Sequence, residues 1–401
     1  MKVVAVIEEF NGIRKNHRIF LENVRRQTGA DYIIAIMSGD FLQQGLPARE
    51  DKYMRAAQAV GAGADLIIEL PVFSALASPD TYAYAAVSML ENLHCVDELC
   101  IACDTDTPEL LPQIARLLFM ETYGYQNEIR ELRSRGMSFY DAQAAAMDRR
   151  LPGAGAVLKN PVNMFAVEYA RALKRIYSTI RPVFIQAAGL SPMHRVGGLR
   201  ADADGLRADV DSALIEADSA TGASTYFDTL LKYELKFSKH RMSEVCGGTA
   251  MLTGQLCALE DTCTGFEAFA RQLATATRSP ANIRRYLLSF LLYIRKSDMS
   301  ICRLYSFALY ANVLHCAPGA QPLMESLKAN AWLPVLGSTA SGTAADPYTL
   351  AAADDDFADF ALQCRSQLDE ARQMLASLDM RAHRLYRLAQ PDQASRSFTA
   401  F

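Results

Sequence analysis

The residues best suited to chemistry gather in two short loops. The first is Glu8-Glu-Phe-Asn-Gly-Ile-Arg-Lys-Asn-His17, where Arg14, Lys15 and His17 sit just where Ile19, Phe20 and Val24 begin a helical spacing. A helix N-terminus presents unpaired N–H groups and the positive end of the helix dipole. Cationic or protonatable side chains there favour an anion, above all a phosphate. The second loop is Met37-Ser-Gly-Asp-Phe-Leu-Gln-Gln-Gly-Leu-Pro-Ala48. Neither contains G-x-G-x-x-G or G-x-x-x-x-G-K-[ST], which excludes the dinucleotide fingerprint and the P-loop. Cys100 and Cys103 form the one close cysteine pair, with His94 and Cys95 nearby. Their setting, Glu98-Leu-Cys-Ile-Ala-Cys-Asp104, reads as a buried strand, so core thiols are expected rather than a redox pair or a zinc site. His94, His194, His240, His315 and His383 show no metal-ligand spacing.

The elements that must position these loops alternate regularly. Apolar runs at residues 2–8, 31–38, 64–70 and 98–103 read as strands, with a further one at 182–186. Helical spacing fills His17–Gln27, Asp51–Val60, Thr81–Leu93 and Asn163–Tyr177. Strands apolar on both faces and separated by helices imply βαβ units and a parallel sheet, hence an α/β, Rossmann-like domain over residues 1–204. In such sheets a ligand binds beyond the carboxyl ends of the strands, where both loops fall. From residue 205 to 401 the pattern turns mainly helical, at Phe266–Ala276, Ile283–Lys296, Ser300–Leu314 and Asp355–Leu378. A Gly/Ser/Thr/Ala-rich loop at 337–346 interrupts it. Trp332, the only tryptophan, is expected in the core.

Composition narrows the class. Half of the 401 residues are hydrophobic, 21% are charged and the net charge is −4, an ordinary globular balance. The apolar start reaches Glu8 too soon for a signal peptide, and no run is long enough to span a bilayer. Nine scattered cysteines suit reduced thiols in a cytoplasm. An acidic chain argues against strong non-specific nucleic-acid binding. The best local basic face is 271–303, where Arg278, Arg284 and Arg285 are the candidate RNA contacts, against a solvated helix face as the alternative.

Glu9-Phe-Asn-Gly-Ile-Arg-Lys-Asn-His17 followed by Met37–Ala48 resembles the tRNA(Met) cytidine acetate ligase family, nucleotidyltransferase-like Rossmann proteins with an H-x-G-H motif. The resemblance continues through Asp51-Lys52, Gly63–Pro71, Asn163, Glu168-Tyr169, Ser219-Ala-Thr221, Arg285 and Leu378–Ala382, nearly the whole chain in order. It implies ATP-dependent activation of acetate as acetyl-adenylate, then transfer to the wobble cytidine N4 of elongator tRNA(Met), with Mg²⁺ accompanying ATP. It puts His17 and Arg14 in the catalytic role. ATP would lie against Ile7, Glu8, Glu9, Phe10, Asn11, Ser38, Gly39, Asn163, Ser219 and Thr221. From the residues alone His17 suits a helix cap as well as a phosphate contact, Asn11 a turn, Lys52 a solvated helix start, and Ser219 and Thr221 an N-cap pair.

The phosphate motifs depart from the family pattern. H-x-G-H reads Arg14-Lys15-Asn16-His17, and S-A-T-x-I-R reads Ser219-Ala-Thr-Gly-Ala-Ser224, without its arginine. A strand-four glycine is Ala102, the first of an Asn-Asn pair is Val162, an arginine near the fifth strand is Ala187, and a Tyr-His-Asp triplet is Pro192-Met-His194. A charge-assisted phosphate contact contributes about 1.5–3 kcal/mol, so two lost arginines weaken ATP binding by roughly 3–6 kcal/mol unless compensated. Three readings follow: a ligase of this family, a catalytically impaired pseudoenzyme that binds or scaffolds, and a nucleotidyltransferase with a changed substrate.

Overall fold

The computed structural model describes residues 1–187, 223–260, 265–275, 278–336 and 355–389. The seven strands are β1 (Val3–Ile7), β2 (Tyr32–Ser38), β3 (Leu66–Leu70), β4 (Glu98–Cys103), β5 (Arg181–Gln186), β6 (Ala311–Cys316) and β7 (Val335–Leu336). In the first half of the chain the helices are α1 (Lys15–Thr28), α2 (Lys52–Gly61), α3 (Val72–Ala75), α4 (Pro79–Asn92), α5 (Leu110–Met120), α6 (Tyr123–Ser134), α7 (Phe139–Asp148), α8 (Ala154–Lys159) and α9 (Pro161–Arg175). The second half adds α10 (Ala223–Phe237), α11 (Ala250–Ala258), α12 (Phe266–Gln272), α13 (Pro280–Leu291), α14 (Lys296–Leu304), α15 (Gln321–Asn330) and α16 (Asp355–Ala389).

One sheet runs through the molecule in the order β5-β4-β1-β2-β3-β6-β7. Its first five strands pair in parallel, and β6 joins β3 antiparallel. All five strands expected in the first half form. Period-two geometry sends Val3, Ala5 and Ile7 to one face and Val4 and Val6 to the other, and each face has its own apolar cluster. Every one of these side chains is buried, and full burial of a valine or isoleucine contributes about 1.5–3 kcal/mol.

The second half is mainly helical as expected, with two corrections. The helix expected over 283–296 ends at Leu291, and a new one starts at Lys296. Residues 300–314 do not form a continuous helix: it stops at Leu304, and 311–316 instead close the open edge of β3. An unpaired edge of a buried sheet leaves backbone N–H and C=O groups unsatisfied, and β6 satisfies them. The sheet therefore draws strands from both sides of residue 205. Trp332 is also corrected: it is 55% exposed, its ring tilted against His94 at 4.1 Å, and its backbone N–H donates to the Asn92 carbonyl. Cys100 and Cys103 are free and buried as expected. Three residues apart on a strand, they face opposite sides of the sheet and cannot share a metal. The loop at 337–346 lies outside the described residues. No described helix is long and apolar enough to cross a membrane.

Candidate active site at the carboxyl ends of β1 and β2

Strand order reverses between β1 and β4, and the chain leaves β1 there into the first loop. Phe10 is fully buried with φ +45, a left-handed conformation uncommon for a non-glycine residue, and it turns the chain toward α1. Asn11 ties the two loops together, its side-chain oxygen accepting the Arg49 N–H at 2.9 Å. Arg14 is the N-cap of α1, and the first turn carries no acidic residue. His17, three residues on, accepts the Arg14 N–H at Nδ1 (3.0 Å), so the ring caps the helix and the neutral imidazole carries its proton on Nε2. That nitrogen lies 3.9 Å from Glu8 Oε1. Burial, and secondarily the Arg14 charge, pulls the His17 pKa below its ordinary value, so the ring is neutral at pH 7.

Glu8 and Glu9 are both buried, which fixes their protonation. Burial and the neighbouring Glu9 charge push Glu8 up to about 8. Burial lifts Glu9 to about 7, opposed by the Gln43 N–H (2.8 Å), the Ser38 hydroxyl (3.0 Å) and the Arg55 charge. Ser38 Oγ also lies 3.3 Å from the Tyr82 hydroxyl. Gly39 is required by contact, since a β-carbon there would sit 2.3 Å from Glu69 Oε1.

Three polar side chains beneath the loops were not singled out from sequence as their support. Arg55 is fully buried and donates to the carbonyls of Glu9 (2.6 Å), Ser38 (3.0 Å), Gly39 and Glu50 (3.1 Å), joining both loops to α2. Lys52, weighed as a solvated lysine or a ligand contact, is instead buried, with Nζ at 2.8 Å from both Glu69 oxygens. Burial depresses its ammonium, but Glu69, Asp40 and Asp379 outweigh that and hold it protonated. His383 on α16 pairs with Asp40 at 2.9 Å. A signal for the first two existed: Lys52 and Arg55 fall on the same helical face as the buried Ala56 and Ala59.

The remaining expected residues divide. Asn163 is buried and clamps the turn after β4, accepting the Asp104 N–H (2.8 Å) and donating to its carbonyl (2.9 Å). Ile7, Ala102, Val162 and Tyr169 line a small gap beside β1 and β4. The Tyr169 hydroxyl is buried there without a hydrogen-bond partner among the described residues. Ser219, Thr221 and the Pro192–His194 triplet lie outside the described residues.

The basic face over 271–303 is corrected at its centre. Arg284 and Arg285 are buried, not solvated. Arg284 Nε donates to Glu267 Oε2 (2.8 Å), and Arg285 donates to the Gln43 carbonyl (3.0 Å) and to Asn282. Packing of α13 on the second loop is the cause. Gly45, at φ +74, brings its α-carbon so close that a β-carbon would lie 2.6 Å from the Arg285 nitrogen. Arg278 is half-buried, with Nη1 3.2 Å from Gln255 Oε1.

A mainly parallel sheet with a cationic helix N-terminus at its switch point defines an α/β protein of Rossmann type, and residues 1–195 match the model of the HIGH nucleotidyl transferase family. The chain is also similar to tRNA(Met) cytidine acetate ligases. It is 24% identical over 375 residues to the tRNA(Met) cytidine acetate ligase of Acetivibrio thermocellus, covering 84% of this chain and 88% of that protein. The ligases of Halothermothrix orenii and Clostridium kluyveri are 35% and 34% identical over 199 residues, and those alignments span 47% and 49% of the relatives, about half their length. The fold matches crystal structures of Thermotoga maritima TmcAL. The apo form gives a TM-score of 0.78 at 22% identity, covering 98% of this chain and 95% of that one. The form bound with alpha-thio ATP gives 0.76, also at 22% identity and with the same coverage.

Proposed function

We propose that this protein is an ATP-dependent tRNA(Met) cytidine acetate ligase acting in the cytoplasm. Acetate attacks the α-phosphorus of ATP, pyrophosphate leaves, and acetyl-adenylate forms. The N4 amine of the wobble cytidine in elongator tRNA(Met) then attacks the acetyl carbon, and AMP departs. The observation that carries this reading is the α1 N-terminus at the switch point, where Arg14 and Lys15 are exposed and His17 holds a neutral ring with its proton on Nε2. Those groups supply what nucleotidyl transfer needs, donors and positive charge aimed at phosphate oxygens. ATP would lie along Ile7–Asn11, Ser38-Gly39 and the Asn163 turn, with Ser219 and Thr221 toward its outer phosphates. In this reading residues 1–204 carry the nucleotide chemistry and 205–401 brace the site and serve the RNA. Mg²⁺ enters with ATP.

A second reading, a pseudoenzyme that keeps the fold as a binding protein, is favoured by one specific feature. Asn16 puts a side chain where the motif has glycine. Calorimetric titration with ATP and Mg²⁺, with His17→Ala as control, separates the two. Micromolar binding that is lost in the control, followed by acetate-dependent pyrophosphate release, supports the ligase. No heat at millimolar ATP leaves the pseudoenzyme.

A further inference from the structure

Burial of Arg284 and Arg285 takes two of the three expected RNA contacts out of solvent, and the charge distribution offers a further surface. Residues 110 to 181 carry eleven Lys and Arg against six Asp and Glu, within a chain of net charge −4. α5 and α9 end side by side in that stretch. Phe119, Met120 and Tyr177 are 38%, 55% and 85% exposed, and Tyr123, which opens α6, is 75% exposed. The Phe119 and Tyr177 rings meet edge-on at 6.5 Å. Arg116 and Lys174, each three residues before one of those rings, are exposed and have no carboxylate partner among the described residues. The one carboxylate between Met120 and Tyr123, Glu121, is already held by Arg171.

Tyr177 supplies an independent observation. It follows the C-cap of α9 with φ +53, a position ordinarily taken by glycine, and its N–H donates to the Lys174 carbonyl at 3.2 Å. The backbone disfavours a β-carbon there, and an 85% exposed ring recovers nothing by burial. A side chain held out against both preferences points to something that covers it.

We propose that Phe119, Met120, Tyr123 and Tyr177, edged by Arg116 and Lys174, form a docking surface for unpaired RNA. Bases stack on the rings and phosphates meet the two cations. Stacking of this kind tolerates any sequence, because every base has a π-face. The surface lies at the end of α9 opposite Asn163, about 22 Å away along a 15-residue helix. It therefore grips the RNA body rather than the reacting base. The inference rests on the RNA half of the proposed function.

Fluorescence anisotropy with a labelled tRNA(Met) transcript tests it. Tyr123→Ala with Tyr177→Ala should weaken binding about tenfold or more. Arg116→Gln with Lys174→Gln should lower the slope of log affinity against log salt by about 1.4. Tyr177→Gly is the sharper variant: relief of the left-handed strain should raise Tm while RNA affinity falls, a pairing no purely structural role gives. Unchanged binding in all three overturns the surface and leaves the proposed function standing. A wild-type protein that binds no RNA overturns the RNA half of that function and the surface with it. Loss of a concentration-dependent dimer in the variants, by sedimentation and without loss of RNA binding, assigns the patch to self-association and overturns it as well.

Discussion

The two loops at the carboxyl ends of β1 and β2 are built on opposite terms. The second, Ser38 to Ala48, is fastened from beneath and from above. Arg55 holds its start, Arg285 holds Gln43, and the Tyr386 hydroxyl donates to the Ala48 carbonyl at 3.0 Å. Among the described residues the first is pinned to the rest of the fold at its root, through Glu9, and at Asn11, and its far end exposes Arg14 and Lys15 beside the buried His17 cap. The sequence changes in the phosphate motif fall at that far end, at Arg14 and Asn16. Buried charge tolerates little change, because removing one partner leaves another polar group without water or a partner. Exposed charge can vary at small cost to folding.

The comparison breaks most easily at Arg55. Arg55→Ala leaves four carbonyls without their donor, so unfolding by denaturant should show a loss of about 3–5 kcal/mol. A loss below about 1 kcal/mol would mean that the second loop stands without this fastening. Gly45→Ala is next. The added carbon meets the Arg285 backbone and the residue is left-handed, so about 2–3 kcal/mol should go, and α13 should become more accessible in hydrogen exchange.

The third test uses pH and the root of the first loop. In the unfolded chain Glu8 and Glu9 titrate near 4.5, whereas folded they keep their protons to about 8 and 7. The folded protein thus binds more protons across that window, and stability falls as pH rises from about 4.5 to 8. Glu8→Gln should flatten this fall, and at pH 9 it should be more stable than wild type by at least about 2 kcal/mol. Equal slopes for the two proteins would show that Glu8 is ionised in the fold. The smallest effect is expected at the exposed end. Arg14→His with Asn16→Gly rebuilds the H-x-G-H pattern and should tighten ATP about tenfold, roughly 1.4 kcal/mol, with Tm almost unchanged. A shift in Tm instead of affinity would erase the distinction between the loops.

Much of the frame was legible without coordinates. Five strands, the helices between them and the two loops that end at the site follow from apolar periodicity and from the positions of glycine and proline, which are local properties. His17 and Asn11 could be placed but not assigned, because one nitrogen or one oxygen serves a helix cap, a neighbouring loop or a ligand equally well. The edge strand at 311–316 was misread because pairing to β3, rather than its own spacing, makes it a strand.

The sequence by itself determined the five parallel strands and the two loops at the carboxyl ends of β1 and β2. Only the tertiary structure decided which charges are solvated. Arg284, Arg285, Lys52 and Arg55 look like surface residues in a list of residues. They are buried because partners far along the chain, Glu267, Gln43, Glu69 and Glu9, lie across from them. Charge can leave water only where such partners converge, and that convergence is a property of the folded chain, not of any stretch within it.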